Sequence, residues 1–473
     1  MDLKKAVKES RKIDNEFNYF NYLDERPKAN EKQGKLSNYI ISVKDCICVK
    51  GMESTAGSRI LIGYKPLFNA TVIQRCTEQG ATIIGKTSQD EFGFGGFNTN
   101  TGIGFKIPKN PYDKHRACGG SSGGAAGFTQ RISQTEIKHI ALAESTGGSI
   151  VAPACFCGVF GLCPTYSLVS RYGLMDYANS LDKIGPIASN MYDIALMLEI
   201  IAGHDEKDST SYETAGKINT NYTDFLKKSV KGMKIGIVKE TMKDIDKDVE
   251  QGIKDAIKTL EKQGVKFEEV SLPYTQKYGL AAYYLIAMAE ASTNLAKYSG
   301  LRYGKHDPLN KNTNFNDYFS EVRSKCFGKE AKRRIILGTF ARMAGYRDAY
   351  YIKALKIRTE IIEEYKKLFK TYDALLSPTM PILPPSFKEI DKLTPLQNYM
   401  MDIMTTGPNL TGLPHINVPI GFVEVKNEKT DEKAKKSENK KNEKAKKLPL
   451  GALLIADHFK EENLIKLGCV FDK

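Results

Sequence analysis

The stretch CGGSSGGAAGFTQRISQTEIKHIALAESTGGSIVAPACFCGVFGLCP, residues 118–164, is the part of the chain around which the rest is organised. It holds two glycine–serine clusters, Gly119 to Gly124 and Thr146 to Ser149. Six small residues in a row bury almost no side chain and are costly to order. Their use is close approach of backbone, with N–H groups free to point at a partner. That suits an anion or a developing oxyanion. A flexible Gly/Ser linker is the alternative, but the flanks are apolar and periodic, unlike those of a linker. Between the clusters a mostly polar helical segment is expected, then a short apolar one.

Working outward, the 473 residues can bury a large core, and 41% hydrophobic with 27% charged is ordinary for a folded protein. Of the net charge of +14, about five charges fall in 426–447, where ten Lys face five Asp or Glu. That low-complexity segment cannot bury a face. It interrupts two strand-like segments and reads as a solvated hairpin insertion, with a specific RNA-binding arm as the lesser alternative. The remaining basic excess is diffuse and compatible with a polyanionic partner such as RNA.

The nine cysteines include Cys46/Cys48 and Cys155/Cys157, both in apolar surroundings, with no paired CxxC spacing. Buried free thiols are expected rather than metal ligands, which implies a reducing compartment. No metal site is expected. The N-terminal residues are charged, without the apolar core of a secretory signal. No apolar run approaches the ~18 residues that span a bilayer. A soluble, cytoplasmic protein is expected.

Residues 1–38 read as a short helix and a polar linker, and 39–473 as one domain. Tyr39 to Val49 is strand-like and interrupted by Lys44. A strand lysine ordinarily reaches solvent at an edge; buried, it would be a neutral base. Gly80 to Thr87 matches the phosphate-loop pattern G-x-x-x-x-G-K-[ST] letter for letter. The context is wrong: a helix precedes it, and Ala81 to Ile84 is itself the strand. Asp90 to Gly104 reads as a long loop. Met191 to Ile201 reads as a helix. Met233 to Ile237, Asp246 to Gln263 and Val265 to Val270 form a β-α-β run. Tyr278 to Tyr298 and two segments within Lys329 to Phe369 are helical. Asp373 to Ser377, His415 to Val418 and Leu448 to Ala456 are strands. Helices with short apolar strands indicate an α/β protein with a central sheet.

The candidate nucleophiles are Ser121, Ser122, Ser145 and Ser149. None of the six histidines sits near a G-x-S-x-G elbow. Lysine is the other known base for serine, and Lys44 is the one lodged in an apolar strand. The N–H groups of Thr146 to Ser149 are material for an oxyanion hole. A serine acyl-transfer enzyme using lysine is one possible reading.

GGSSGG, then TGGSI-x-x-P, with an upstream VKD at 43–45, resembles the amidase signature family, from about Tyr39 to the end. The resemblance implies an amidase signature fold, a central mostly parallel or mixed sheet with helices on both faces. It implies a Ser–Ser–Lys triad: Ser149 the nucleophile, Ser121 the bridge, in a cis peptide bond, and Lys44 the general base. Thr146, Gly147 and Gly148 would supply the oxyanion hole. GKTSQDEFGFGG (85–96), the segment 156–187 and KRRIILGTFARMAGYRDAYY (332–351) are most similar to the glutaminase (A) subunits of tRNA-dependent amidotransferases. That implies Arg334 for the glutamine carboxylate and Asp402 for its α-amino group, with Tyr283 in the same pocket. It also implies B and C partner subunits, aminoacyl-tRNA reached through the complex, and ATP with Mg²⁺ on the partner rather than on this chain. A stand-alone amidase of the same family and a non-catalytic RNA-associated scaffold are the alternatives.

The family usually has Asp before TGGS and Arg after GGSI; here they are Ser145 and Val151. If those two form an ion pair elsewhere, losing both leaves no orphaned charge. The spacing from Ser121 to Ser149 is a few residues longer than usual, which points to the Thr129–His139 helix. The region before Lys44 looks shortened.

Overall fold

The computed structural model describes residues 2–214, 217–304, 314–425 and 446–472. Most of the 426–447 insertion therefore lies outside the described residues. Its flanks, β10 and β11 below, pair from Val425↔Lys446 inward.

The core is an eleven-stranded sheet among the described residues. In chain order the strands are β1 (Phe20–Leu23), β2 (Tyr39–Lys44), β3 (Thr82–Thr87), β4 (Lys138–Ser145), β5 (Phe160–Cys163), β6 (Lys183–Ala188), β7 (Lys234–Val238), β8 (Lys266–Val270), β9 (Ala374–Pro378), β10 (His415–Val425) and β11 (Lys446–Ile455). Their spatial order is β1-β3-β2-β4-β6-β5-β10-β11-β9-β7-β8. Every residue of β2, β6 and β9 is buried. Since successive side chains point to opposite faces, both faces of the sheet are covered.

The sheet is mixed, one of the two forms the resemblance implies. β2 runs parallel to β3 and β4, and β7 to β8 and β9; the other neighbours are antiparallel. The β-α-β run read from the sequence is β7, the Lys247–Glu261 helix and β8. The segment before Tyr39 is more than a helix and linker. After the Leu3–Phe17 helix, β1 forms the sheet edge against β3.

The first glycine cluster departs from the expectation of N–H groups free to meet an anion: Gly120 N donates to Gly96 O and Gly124 N to Ser88 O. Its six residues are buried, and the Gly123–Ile132 helix begins within it. A Cβ on Gly120 would lie 2.7 Å from the backbone nitrogens of Phe97 and Asn98. The smallness there serves packing against the protein's own 90–100 loop. The expected Thr129–His139 helix ends at Ile132, and β4 begins at Lys138. The long apolar run IALA suits a strand buried on both faces.

β2 and β4 lie side by side in parallel, with Val43 opposite Leu142. Lys44, the last residue of β2, therefore meets the end of β4, where the chain turns into Thr146–Ser149 and the Val151–Cys157 helix. The phosphate-loop letters lie in β3, and Lys86 is fully buried. Its Nζ donates to Ile47 O (2.6 Å) and Ser54 Oγ (2.8 Å) and stands 3.7 Å from Asp45 Oδ1, bracing the turn after Lys44. None of the nine cysteines, all among the described residues, forms a disulfide, and eight are buried. No described helix is long and apolar enough to cross a membrane.

Candidate active site

Lys44 is completely buried. Its Nζ is 2.7 Å from Ser121 Oγ, 2.8 Å from Glu144 O and 2.8 Å from Glu144 Oε2. The Gly120–Ser121 peptide is cis. Ser122, the neighbouring candidate, donates to Glu144 O at 3.2 Å. Ser145 donates to Gly147 O at 2.7 Å and is thereby occupied. Val151 is buried in the first turn of its helix among apolar neighbours. Ser149 is 6% exposed, and its hydroxyl makes no hydrogen bond among the described residues. Of the four serines, two are tied to backbone, one to the buried lysine, and Ser149 is left free.

The Thr146–Ser149 loop is buried, yet among the described residues none of its four main-chain N–H groups has a protein acceptor. Orphaned buried N–H groups are rare, so a run of them marks a place for an oxygen bearing negative charge. The loop is held from behind. Asn409 donates to Gly147 O, and Tyr283 Oη would lie 2.6 Å from a Cβ on Gly147, so only glycine fits there.

Behind Lys44 lies a second polar chain. Thr146 Oγ1 is 2.8 Å from Glu144 Oε1 and 2.7 Å from Asp182 Oδ1. One hydroxyl proton can serve one of these contacts, so the other requires a proton on a carboxyl group. Burial, then the charge of Glu144, push the Asp182 carboxyl well above the usual carboxylate range.

Arg334 and Asp402 come together through Tyr284. The Arg334 guanidinium is buried among the rings of Phe94 (5.0 Å), Tyr284 (5.4 Å), Tyr399 (5.4 Å) and Tyr177 (5.5 Å). Its Nε donates to Glu330 Oε1 at 2.9 Å, and it also contacts the Tyr177 hydroxyl. Tyr284 Oη donates to Asp402 Oδ2 at 2.5 Å. Burial raises the Asp402 carboxyl above its ordinary value. Arg334, Glu330, Tyr284, Tyr399 and Phe94 line a cleft of about 440 Å³. Asp402 begins the turn that carries Thr405 and Asn409 to the glycine loop.

The family model described as Amidase matches residues 16–465. The chain belongs to the amidase family. A protein of Carboxydothermus hydrogenoformans, named as the A subunit of glutamyl-tRNA(Gln) amidotransferase, is 48% identical over 402 residues, 85% of this chain and 80% of that protein. A Methanosarcina mazei protein of the same name is 41% identical over 471 residues, 99% of this chain and 88% of its own. A crystal structure of the Thermotoga maritima protein so named superposes with a TM-score of 0.78 at 35% identity, over 98% of this chain and 90% of that one.

Within this amidase fold, Lys44 touches Ser121, Glu144 joins Lys44 to Thr146 of the glycine loop, and Arg334 and Asp402 are linked through Tyr284. Tyr283 backs the glycine loop, whereas its neighbour Tyr284 faces Arg334 and Asp402. Tyr177, Tyr284, Glu330 and Tyr399 around Arg334 were not found from sequence, nor was Glu144. A clue to Glu144 was available: it is an acid inside an otherwise apolar strand, just as Lys44 is a base in one.

Proposed function

We propose that this chain is the glutaminase component of a tRNA-dependent amidotransferase. The observation that carries the chemistry is the 2.7 Å contact between the buried Lys44 Nζ and Ser121 Oγ, beside a loop of unpaired N–H groups ending in Ser149. Lys44 rests as the ammonium of the Glu144 pair and, once it has given up one proton, takes a proton as the free amine from Ser149 through Ser121. Ser149 Oγ attacks the side-chain carboxamide of glutamine. The oxyanion is met by N–H groups of the Thr146–Ser149 loop. The C–N bond breaks, ammonia leaves with the proton returned through Ser121, and water hydrolyses the acyl-serine to glutamate. Arg334 binds the glutamine carboxylate as a planar fork, and Asp402 holds the α-amino group, both placed by Tyr284.

The relatives' names support the assembly. Ammonia is delivered to a B subunit, where Glu-tRNA(Gln) or Asp-tRNA(Asn) is activated with ATP and Mg²⁺, and a small C subunit braces the two. The test is reconstitution with B and C subunits. Glutamine hydrolysis should rise with aminoacyl-tRNA and ATP, and Ser149→Ala should abolish it. Equal turnover of unrelated amides without partners, or full activity in S149A, refutes the reading.

A further inference from the structure

We propose that Glu144 is a positioning residue for the base: it turns the Lys44 lone pair onto Ser121 and ties that base to the oxyanion loop. This rests on the acyl-transfer reading above. The geometry is one of valence. A free amine has two N–H bonds and one lone pair. Around Lys44 Nζ stand three partners: Glu144 O and Glu144 Oε2, which are acceptors, and the Ser121 hydroxyl. When both N–H bonds go to Glu144, the lone pair points at Ser121 Oγ, the direction in which a proton must arrive. One residue thus supplies both anchors, one from its main chain and one from its side chain.

The other carboxylate oxygen reaches forward. Glu144 Oε1 meets Thr146 Oγ1, and Thr146 is the first residue of the loop whose N–H groups await the oxyanion. Beyond it Asp182 Oδ1 takes the second contact, while both Asp182 oxygens accept from the N–H groups of Tyr177 and Ala178. Tyr177 in turn touches Arg334. Contacts therefore run from the base, past the oxyanion loop, and across the Tyr177 side chain to the arginine of the cleft.

Glu144 also brings a carboxylate to hydrogen-bond distance of the base. The other charged or titratable groups facing Lys44 are Asp90 from the loop after β3, Cys46 in the turn after β2, and Asp182 through Thr146. Burial pushes the Cys46 thiol up, so it stays neutral. Lys86 and Asp45 lie close by as a pair of their own. Among these, Glu144 is the one in ion-pair contact with Lys44.

The test uses the full chain and a fluorophosphonate that labels activated serine, followed by intact mass across pH 5–10, alongside glutamine hydrolysis in the assembled enzyme. Glu144→Ala removes the side-chain anchor and is expected to slow labelling of Ser149 on the order of 100-fold, with the KM for glutamine little changed. Glu144→Gln keeps an acceptor but removes the charge. It should label within a few-fold of wild type at its own optimum, with the ascending limb of its pH profile moved to lower pH. Wild-type labelling rates in E144A overturn the proposal. So does an E144Q profile that superimposes on wild type, a result that remains decisive if E144A does not fold. If the wild-type chain labels at Ser149 but the assembled enzyme does not hydrolyse glutamine, the assigned substrate fails while the role of Glu144 stands.

Discussion

Replacing Lys44 by Met removes the cation from a pair in which the lysine side chain is 0% and the glutamate 4% exposed. Met has nearly the same length, so little packing is lost. What is lost is compensation of charge. Glu144 is then left facing Asp182 through Thr146 with no cation in contact. Breaking a buried pair from one side costs roughly 3–5 kcal/mol. The orphaned carboxyl relieves the cost by holding a proton, so the cost depends on pH. A carboxyl whose value is raised in the folded state destabilises that state as pH climbs above its unfolded value near 4.3. The deficit of K44M against wild type should therefore be largest near pH 8 and shrink by roughly 2–3 kcal/mol at pH 5.5. Lys44→Met/Glu144→Gln should recover most of the loss at pH 8, while both variants stay inactive. Urea unfolding at the two pH values measures all of this. A K44M chain as stable as wild type at pH 8, or a double variant no better than K44M, would refute the buried ion pair and the arguments built on it.

Burial pushes the Glu91 carboxyl up to about 7, where it accepts from Ser58 Oγ (2.6 Å) and Gly328 N (2.9 Å). Its ionisation in the folded state costs on the order of 3 kcal/mol above pH 7, so Glu91→Gln should gain stability relative to wild type as pH rises from 5 to 8; a constant difference in denaturation midpoint would count against it. Gly147→Ala places a Cβ 2.6 Å from Tyr283 Oη, and kcat should fall at least about tenfold through the displaced oxyanion loop. Adding Tyr283→Phe, which deletes the clashing oxygen, should restore part of that rate, and no recovery would locate the damage elsewhere. Arg334→Lys keeps the charge and loses the fork; the KM for glutamine should rise roughly tenfold or more with kcat nearly unchanged, and an unchanged KM removes Arg334 from substrate binding.

The Lys44–Ser121 contact and the 146–149 loop were legible because their residues are unusual for their surroundings. A lysine in YIISVKDCICV has no ordinary reason to be there, and TGGS cannot be a packing motif for side chains. The first glycine cluster misled for a physical reason. Smallness serves backbone approach, but composition does not say to what, and in the fold the partner is the 90–100 loop. β1 was missed because FNYL is four residues long and stabilised by pairing with β3, a contact far along the chain in the Phe20↔Thr87 register. Strand direction came only with the family resemblance, which allows a mixed sheet; the residues alone do not give it, since β5 and β10 meet through non-local pairing. The arginine cage escaped because four rings converge from four segments, each of which looks like ordinary core.

Lys44 and the 146–149 loop hang from β2 and β4, the third and fourth of the eleven strands, whereas Arg334 rides on the Lys329–Arg342 helix, which packs on the Pro273–Asn294 helix and turns much of its surface outward. The two halves of the site therefore have different mechanical ground. Amide hydrogens of β2 and β4 should exchange only when the whole domain opens, those of the outer helix by local fraying. Affinity for the amide donor can then be loosened or tightened from outside while the acyl-transfer machinery stays assembled.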